Sequence, residues 1–481
     1  MFELQDVFVA LGAEPAAGDG PTMVDDLSVD ARRVAPGSVF FCVRGFGVDG
    51  HDWAPEAVAN GAVAVVAERR LEVSVPQIVV PDARAALATV SVEYWGDPTE
   101  TLPVVGITGT SGKTTTAYLI HSILEAAGLR PGLYSSIETQ IGSERVPSPS
   151  WTPVAFHLQG AFRSMLNAGN LSCAIEATSH DSELRRLDGV HFAALVFTNL
   201  GHDHLDFHGT FERYFAAKRR YFLDGSPPAA VNLEDRYGRR LVSELRAGGH
   251  ERLLTFGLTS EADLSPAELD ASPAGTRLRL GDLELHTRLP GAFNVENVLA
   301  AVAAARLLEV PDEAIAAGVA ALENVPGRME PIDEGQPYSV FVDYAHKPEA
   351  LEAALRTARM HTTGRVLCVF GCGGDCYRGK RPMMGRIAAA LSDLVILTTD
   401  NPRNEDPQAI VDEIAGGGAP DEIELDRRRA IERAVMLARP GDVILVAGRG
   451  HETEQELAGG RILHFDDRDV VRDVLRSSGW C

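Results

Sequence analysis

The segment at residues 106–116, GITGTSGKTTT, constrains the fold of this chain more than any other feature. A run of buried type at residues 104–108 leads into it, and a helical pattern follows from about residue 114 to 127 and ends at Gly128. In a loop between a strand and a helix, backbone N–H groups and the helix N-terminus can bind phosphate. This order of elements predicts a β-loop-α unit with a nucleoside triphosphate site, and it disfavours a glycine-rich turn that only caps a helix.

The loop carries the side chains that a nucleotide site requires. Lys113 would reach the outer phosphates, and Thr114 or Thr115 offers a hydroxyl to Mg²⁺. The strict Walker spacing requires glycine at position 107, where this chain has Ile107. We therefore expect a shorter variant of the loop.

The composition excludes several classes of protein. With 481 residues the chain is long enough for about three domains, and 45% hydrophobic against 23% charged residues is an ordinary globular balance. The formal charge of −23 opposes a nucleic-acid or anionic-membrane surface. The six cysteines are too few for a disulfide framework, and the sequence shows neither a basic leader nor an apolar run of membrane length. We expect a cytoplasmic, monomeric protein that acts on small molecules and binds neither nucleic acid nor a membrane.

Alternating β-rich runs and helical patterns predict an α/β chain of several domains. Turn formers and charges at residues 94–103 place a first boundary near residue 100. A later series of strands begins near Tyr338 and places a second boundary within residues 327–337. The expected domains are residues 1–100, 101–330 and 331–481.

Two strand ends in the middle domain carry acids and a histidine. Glu176 lies in the predicted strand at residues 173–177, and Asp203 and His204 follow the one at residues 194–199. In open α/β sheets ligands collect outside the carboxyl ends of strands, so we expect both segments to face the phosphate loop and to hold Mg²⁺. For either strand end alone, solvated loop residues are the alternative.

Lys218, in the segment FAAKRRYF, receives no role from its pattern. A lysine on a helix is usually a surface charge.

A series of segments carries a family resemblance, in the order GITGTSGKTTT, IEATSH, FTNLGHDHLDFHG, AAKRRYF, LPGAFNVEN, VPGRME, VDYAHKPEALE, FGCGGDCYRGKRP, TTDNPR and AGRGHET. Together they resemble the Mur ligase family, and within it the UDP-N-acetylmuramoyl-tripeptide synthetases, over nearly the whole chain. The resemblance implies three α/β domains: a UDP-sugar-binding domain, a central P-loop-type ATPase domain with a parallel sheet, and a Rossmann-like C-terminal domain for the amino acid. It also implies a reaction in which ATP converts a carboxylate into an acyl phosphate, which an amine attacks to give an amide, ADP and phosphate.

The resemblance implies roles around the nucleotide. The implied ATP-binding positions are Gly109, Thr110, Ser111, Gly112, Lys113, Thr114, Thr115, Asn294, Asn297, Arg328 and Asp343. The implied catalytic positions are Lys113, Glu176, His204 and Lys218, and those that organise two Mg²⁺ ions are Thr114, Glu176, His204 and Lys218. Lys218 matches a lysine that the family carbamylates, so an N-carboxylate would face the second metal.

The resemblance also implies positions in both substrate pockets. The acceptor positions are Arg32, Thr152, Ser179 and Arg186, and the amino-acid positions are Cys376, Asp400, Asn401, Pro402, Arg403, Gly448 and Glu452. The DNPR form of residues 400–403 matches members that select meso-diaminopimelate, whose distal carboxylate meets the arginine in bidentate fashion. Glu452 matches the acid that pairs with the distal ammonium. L-Lysine would leave Arg403 facing nothing.

Both substrate pockets depart from the family pattern. On the acceptor side, family serine, threonine, serine and glutamine are replaced by Ala31, Trp151, Thr178 and Leu184. Cys376 replaces an arginine that grips the α-carboxylate of diaminopimelate, a loss of about 1.5–3 kcal/mol of binding energy. Arg378 is a candidate replacement. A metal site made of Cys368, Cys372 and Cys376 is less favoured than three ordinary thiols.

The resemblance therefore implies a ligase that adds a diamino acid, meso-diaminopimelate, to UDP-MurNAc-L-Ala-D-Glu in peptidoglycan synthesis. A related ligase of a specialised pathway, acting on another carboxylate or amine, is the alternative. A nucleotide-binding regulator without catalysis is a third hypothesis, and the presence of Lys113, Glu176, His204 and Lys218 argues against it.

Overall fold

The computed structural model describes residues 2–14, 22–45, 47–148, 154–272 and 275–478. The chain forms two compact units. The first comprises Met1–Gly106, Arg130–Tyr134 and Glu138–Ala193, and the second comprises Ile107–Leu129, Ser135–Ile137 and Ala194–Cys481. Within the described residues, no helix is both long and apolar enough to span a bilayer.

The secondary structure of the described residues alternates strands and helices along most of the chain. The strands are β1 (Asp26–Ser28), β2 (Ser38–Phe41), β3 (Ala64–Ala67), β4 (Gln77–Val79), β5 (Val104–Thr108), β6 (Pro131–Tyr134), β7 (Glu138–Ile141), β8 (Glu144–Pro147), β9 (Ser172–Glu176), β10 (Phe192–Phe197), β11 (Ala229–Asn232), β12 (Leu253–Phe256), β13 (Glu268–Ser272), β14 (Gly275–Leu280), β15 (Leu283–Thr287), β16 (Glu330–Pro331), β17 (Ser339–Asp343), β18 (Val366–Phe370), β19 (Leu394–Leu397), β20 (Glu422–Ile423), β21 (Val443–Ala447), β22 (Glu454–Leu457) and β23 (Arg461–His464). The helices are α1 (Leu4–Ala10), α2 (Ala54–Ala59), α3 (Ala83–Trp95), α4 (Lys113–Ala126), α5 (Ala155–Asn167), α6 (Ser179–Glu183), α7 (Leu205–His208), α8 (Phe211–Leu223), α9 (Arg236–Ala247), α10 (Ala292–Leu307), α11 (Asp312–Ala321), α12 (Pro348–Met360), α13 (Lys380–Leu391), α14 (Pro407–Ala415), α15 (Arg427–Leu437) and α16 (Asp467–Ser477). Short 3₁₀ helices lie at Ala31–Arg33, Gly50–Trp53, Pro98–Glu100 and Ala458–Gly460.

The first unit begins with a parallel sheet in the order β1-β2-β3-β4. Phe41 of β2 packs with Val7 of α1 and Leu87 of α3, whereas Phe40 packs with Ala57 of α2. Because successive side chains of a strand point to opposite faces, both faces of this sheet are covered. In the same unit β6 pairs in parallel with β9 and antiparallel with β7, which pairs antiparallel with β8.

The second unit contains the helix that follows the phosphate loop. α4 packs against α10 and α11, and Ser122 Oγ donates to the carbonyl of Gly318 at 2.7 Å. A Cβ at Gly318 would lie 2.3 Å from the Cα of Ile123, so only glycine allows this close approach. β10, β11 and β12 form a parallel ladder in this unit.

The C-terminal part of the second unit is a sheet in the order β16-β17-β21-β18-β19-β20. Its strands are parallel except β16, which runs antiparallel to β17. Phe370 of β18 packs with Leu351 of α12 and Met384 of α13, whereas Val369 packs with Ile431 of α15. Helices therefore cover both faces of this sheet, as expected of the α/β C-terminal domain that the resemblance implies.

Antiparallel pairing also occurs in the second unit. β13, β14 and β15 form a three-stranded sheet, and β22 and β23 form a two-stranded one. The strand predicted at residues 104–108 is β5, and the helix predicted from residue 114 is α4, so the predicted β-loop-α unit is confirmed.

Candidate functional site

The loop before α4 depends on glycine at two positions. Gly109 and Gly112 have φ values of 150° and 86°. A Cβ at Gly109 would lie 1.8 Å from Thr198 Oγ1, and one at Gly112 would lie 2.3 Å from Asn297 Oδ1. Any larger residue would displace the loop or its neighbours.

Residues at the end of β10 hold this loop in place. The N–H of Thr110 donates to the carbonyl of Asn199 at 2.9 Å, and the N–H of Ser111 donates to Asn199 Oδ1 at 2.9 Å. Thr198 Oγ1 donates to the carbonyl of Ser111 at 2.7 Å. These contacts with the end of β10 therefore fix the shape of the loop.

Lys113 is the first residue of α4, and its side chain folds back over the loop. Its Nζ donates to the carbonyls of Gly109 and Thr110, both at 3.1 Å. The N-cap residue Gly112 has no side chain to cap the first turn of the helix. Backbone donors, the helix dipole and an ammonium thus converge here, which fits a polyphosphate.

Lys218 on α8 is buried beside the same loop and is not a surface charge. It is 1% exposed, its Nζ donates to the carbonyl of Gly109 at 2.7 Å, and it lies 4.7 Å from the centre of the Tyr214 ring. Tyr214 shares a 3.0 Å hydrogen bond with Thr110 Oγ1, and its ring meets that of His204 edge-on at 6.2 Å. Tyr214 therefore connects the loop, Lys218 and His204.

The two asparagines expected at the nucleotide lie on α10 behind the loop. Asn297 Nδ2 donates to Asn294 Oδ1 at 2.8 Å, and Asn294 Nδ2 donates to the carbonyl of Pro290 at 2.7 Å. Since Asn297 also borders Gly112, this chain of contacts reaches the start of α4.

Arg328 connects the first turn of α4 with the C-terminal part of the unit. Its Nη2 donates to Thr114 Oγ1 at 3.2 Å, and its guanidinium lies 4.5 Å from the centre of the Tyr344 ring. Asp343, the last residue of β17, accepts from the N–H of Met329 at 2.6 Å and from that of Ala345 at 2.8 Å. Burial raises the pKa of Asp343 to about 6, although the charge of Arg328 favours its ionised form.

A cavity of about 330 Å³ lies within the second unit, and we call it the charged cavity. Six of the seven expected amino-acid positions line it: Cys376, Asp400, Asn401, Arg403, Gly448 and Glu452. Pro402 is not among its lining residues, whereas Asp203, His204, Lys347 and Lys380 are. The structure thus brings together side chains that are distant in the sequence.

One region of the charged cavity is anionic. Asp400 Oδ1 accepts from the N–H of Asn401 at 2.6 Å, whereas its Oδ2 is buried without a hydrogen-bond partner among the described residues. Glu452 accepts from the Tyr344 hydroxyl at 3.2 Å and from Asn401 Nδ2 at 2.9 Å. Burial and then the charge of Asp400 raise the pKa of Glu452. A cationic ligand group would relieve this repulsion.

Arg449 determines how Asn401 is oriented. It is wholly buried, and its Nη1 donates to Asn401 Oδ1 at 2.6 Å. With its oxygen engaged in this way, Asn401 presents its Nδ2 to Glu452.

Arg403 lines the charged cavity but already has an anionic partner. Its Nε donates to Glu456 Oε2 at 2.6 Å, and its Nη1 donates to the carbonyl of Gly374 at 2.9 Å. This corrects the expectation that Arg403 would face nothing in the absence of a distal carboxylate.

Cys376 and Arg378 differ in their access to the charged cavity. The Cys376 thiol lines the cavity and donates to the carbonyl of Gly373 at 3.1 Å. Arg378 pairs with Glu413 and lies 3.9 Å from Glu405, and it is not a lining residue. Arg378 therefore does not replace the missing arginine in this structure.

The expected Mg²⁺ positions lie in both units. Thr114, His204 and Lys218 belong to the second unit, and Glu176 is the buried last residue of β9 in the first. Within the described residues no cluster of three or more His, Cys, Asp or Glu side chains is arranged to hold a metal ion. A hydroxyl and a carboxylate are nevertheless the oxygen donors that Mg²⁺ accepts beside phosphates, so these residue types fit the ion.

The cysteines do not form a metal site in the described part of the chain. Cys368 and Cys372 are buried in the apolar core of the C-terminal sheet. Burial raises the pKa of each thiol to about 12, as expected of ordinary core thiols.

The described acceptor positions lie in the first unit. Arg32 is largely exposed and pairs with Asp30, and Arg186 Nη1 donates to Asp181 Oδ1 at 2.9 Å. Ser179 is buried at the start of α6. The expected positions Thr152 and Trp151 lie outside the described residues.

Two of the substitutions on the acceptor side have clear structural places. Thr178 caps α6: its Oγ1 accepts from the N–H of Asp181 at 3.1 Å, and its own N–H donates to Asp181 Oδ2 at 2.9 Å. A threonine retains the capping function of a serine. Leu184 is the C-cap residue of α6.

Sequence reasoning missed several residues of the site. They are Tyr214, Tyr344, Lys347, Lys380 and Arg449. All five lie inside or next to the motifs quoted above, so closeness to a motif was the available signal. Their contacts join elements far apart in the chain, which local patterns do not reveal.

Three models of one family match consecutive parts of the chain. Their descriptions are Mur ligase family, catalytic domain, at residues 24–95; Mur ligase middle domain, at residues 107–305; and Mur ligase, glutamate ligase domain, at residues 327–450. The three matches follow the order of the three-domain architecture expected from the sequence.

Individual proteins are similar over almost the full length. The UDP-N-acetylmuramoyl-L-alanyl-D-glutamate–2,6-diaminopimelate ligase of Clostridium perfringens is 39% identical, over 98% of this chain and 99% of that protein. A solved structure of a ligase with the same name is 33% identical, with a TM-score of 0.71 over 99% of both chains. The MurF ligase of Thermotoga maritima in complex with ADP shares the fold at 20% identity, with a TM-score of 0.61 over 95% of this chain and 97% of that one.

Proposed function

Because this chain belongs to the Mur ligase family, we propose that it uses ATP to join meso-diaminopimelate to UDP-MurNAc-L-Ala-D-Glu in peptidoglycan synthesis. Members of this family are ATP-dependent ligases. The observation that carries the proposal is the charged cavity, where Arg403 and the pair Asp400 and Glu452 supply both charges that a distal carboxylate and ammonium require.

The proposed reaction starts at the loop before α4. The acceptor carboxylate attacks the γ-phosphorus of ATP and releases ADP, while Lys113 and the first N–H groups of α4 stabilise the charge on the transferring group. Thr114, Glu176, His204 and a carbamylated Lys218 would hold two Mg²⁺ ions, which would neutralise the phosphate oxygens.

The second step forms the amide. The amine of the amino acid attacks the carbonyl carbon of the acyl phosphate, and the tetrahedral adduct expels phosphate. The amine must be neutral to attack, so its proton has to leave before or during this step. Asp400 and Glu452 would hold the distal ammonium, and Arg403 would hold the distal carboxylate by adding to or exchanging its contact with Glu456.

The finer assignments belong to the same proposal. We propose domain boundaries near residues 100 and 330; residue 100 lies between the first and second matched segments, and residue 330 lies just inside the third. The remaining nucleotide and acceptor positions keep the roles that the resemblance implies. We place the reaction in the cytoplasm, on a monomer, with small molecules as its substrates.

The test is ATP turnover with a panel of substrates. We expect ADP release and a product of the correct mass only when UDP-MurNAc-L-Ala-D-Glu and meso-diaminopimelate are both present. ADP release with other carboxylates alone would favour the specialised ligase, for which the replacement of the expected arginine by Cys376 is the specific observation. A protein that binds ATP but turns over none of the panel would favour the regulator.

A further inference from the structure

We propose that Lys380 binds the near carboxylate of the incoming amino acid, which is the carboxylate on the carbon that bears the ligated amine. This inference rests on the proposed function, because it requires that the charged cavity receive an amino acid. In this inference Lys380 makes the charged contact with the near carboxylate that the arginine replaced by Cys376 makes in the family.

Lys380 differs from the other cations that line the charged cavity. Lys347 is paired with Asp203 at 2.5 Å, and Arg403 is paired with Glu456 at 2.6 Å. Lys380 makes neither a hydrogen bond nor an ion pair with any described residue. A cation at the wall of a cavity without such a partner is available to an anionic ligand group.

The neighbouring acids are engaged elsewhere. Wholly buried Arg381, the next residue, pairs with Glu405 and with Glu413, each at 2.8 Å. Arg378 pairs with Glu413 from the other side of Lys380 in the sequence. Glu405 and Glu413 are therefore paired with arginines that do not line the charged cavity.

The position of Lys380 at the start of α13 strengthens its preference for an anion. α13 runs for 12 residues, and its N-cap Gly379 has no side chain to cap it. An ammonium at the first position of a helix adds to the positive end of the helix dipole, an unfavourable arrangement unless an anion lies nearby. A carboxylate in the charged cavity would supply that anion.

A second observation in the same cavity points independently to a zwitterionic ligand. Asp400 is 6% exposed, and its Oδ2 has no hydrogen-bond partner among the described residues. Asp400 and Glu452 would pair with a cationic group of the ligand, and Lys380 would pair with an anionic one. A molecule with ammonium and carboxylate groups satisfies both, whereas a neutral amine or a simple diamine satisfies only one.

The test compares two amines that differ only in the near carboxylate. D-Lysine is meso-diaminopimelate without the carboxylate on its L centre, so its side-chain amine can be ligated while its D centre occupies the distal region. The readout is kcat/KM for each amine with UDP-MurNAc-L-Ala-D-Glu and saturating ATP. It is measured in the wild-type protein, in Lys380→Met, in Lys380→Arg and in Arg378→Met as the matched control.

Loss of one charge-assisted contact predicts that Lys380→Met lowers kcat/KM for meso-diaminopimelate about ten- to hundredfold, mainly through KM. The value for D-lysine should change less than about threefold, so the preference for meso-diaminopimelate collapses. Lys380→Arg should restore most of the preference, and Arg378→Met should leave it unchanged. Circular dichroism and the melting temperature establish that each variant is folded.

Four outcomes would overturn the inference. Equal losses for both amines would mean that Lys380 serves the phosphoryl step or the fold. A collapsed preference in Arg378→Met with a normal one in Lys380→Met would assign the carboxylate to Arg378. A wild-type protein that ligates no diamino acid would overturn this inference and the proposed function together, whereas wild-type turnover with unchanged Lys380→Met kinetics would overturn this inference alone.

Discussion

Lys347 Nζ lies 2.5 Å from Asp203 Oδ2, in an ion pair whose side chains are only 13% and 16% exposed. His204 Nε2 lies 2.8 Å from the same oxygen. Burial raises the pKa of Asp203, but the hydrogen bonds and charges of His204 and Lys347 outweigh it and hold that pKa far below its ordinary value. Asp203 is therefore an anion that joins His204 to the N-cap residue of α12.

Removing Lys347 should cost the protein more than removing a nearby exposed ion pair. In Lys347→Met, Asp203 would keep a nearly buried charge without its ammonium, and we expect a loss of about 3–5 kcal/mol in the free energy of unfolding. The matched control is Glu349→Gln, which breaks the half-exposed pair of His202 and Glu349 and should cost at most about 1 kcal/mol. Unfolding curves of both variants decide the point, and equal losses would contradict the structural role of Lys347.

Lys113→Ala should abolish turnover without unfolding the protein. The lysine lies over the loop before α4, and its loss removes a cation from the transferring phosphoryl group. We expect kcat to fall by at least about a hundredfold. ADP release is the measurement, with circular dichroism as the control for folding. Near-normal activity of the folded variant would contradict the assignment of the phosphate site.

Lys218→Ala should be nearly inactive, and small carboxylates or bicarbonate should partly restore it. The reason is that a carbamate would supply an anionic oxygen ligand, and an added carboxylate can stand in for it. Lys218→Arg is the matched control, since it retains the positive charge but cannot form the carbamate, and it should remain inactive. The mass of one added CO₂ on the wild-type lysine is the direct measurement. Wild-type activity in Lys218→Ala would contradict this role.

Two partly buried histidines should make the protein sensitive to acid. Burial and the charges of Arg328 and Arg468 lower the pKa of His451 to about 3, and burial with two nearby lysines lowers that of His346 well below its ordinary value. Between pH 6.5 and 3, His451 binds a proton in the unfolded chain but stays neutral in the folded chain. The free energy of unfolding therefore falls as the pH falls. For His451 this contribution has a slope of about 1.4 kcal/mol per pH unit, and His346 adds a change of the same sign.

His451→Asn isolates one of these contributions. The variant should lose less stability than the wild-type protein between pH 6.5 and pH 4, and the two should show parallel behaviour above pH 7. Melting temperatures across this range are the measurement. If the melting temperature of the variant depends on pH in the same way as that of the wild-type protein, the pKa of His451 is not lowered in the folded chain.

The elements that could be predicted from sequence are those set by local patterns. The glycines and Lys113 of the loop, the wholly buried strands β5 and β18, and the Gly-Lys-Thr start of α4 each follow from local geometry or burial. The antiparallel β13, β14 and β15 were missed because their strands are partly or wholly exposed, so no continuous apolar run marks them.

The site could be predicted only as far as its motifs extend. Lys218 was identified by its motif, but its burial depends on Tyr214 one helical turn away and on Gly109, more than a hundred residues earlier. The pairing of Arg403 with Glu456 likewise depends on how the segment after β21 folds back, so the sequence left Arg403 without a partner. Charge balance in a cavity is a property of the tertiary structure.

Cys376→Arg should improve ligation of meso-diaminopimelate. The thiol at this position lines the charged cavity and, among the described residues, donates only to the carbonyl of Gly373, so a guanidinium there would add a charged contact to the near carboxylate. We expect KM for this amine to fall about tenfold, with little change in kcat. Cys376→Ser is the matched control, because it changes the thiol without adding charge, and it should leave KM close to the wild-type value.

The same assay tests the preference among amines, with UDP-MurNAc-L-Ala-D-Glu as acceptor and meso-diaminopimelate, L-lysine and L-ornithine in parallel. L-Lysine would leave Arg403 paired only with Glu456, so it gains nothing from that cation and should be the poorer substrate of the wild-type protein and of Cys376→Arg. Both L-lysine and meso-diaminopimelate carry the near carboxylate, so the variant should improve KM for both by a similar factor. An improvement confined to meso-diaminopimelate would place the new arginine at the distal carboxylate instead. No product with any amine, beside ATP turnover on some other carboxylate, would decide for the specialised ligase.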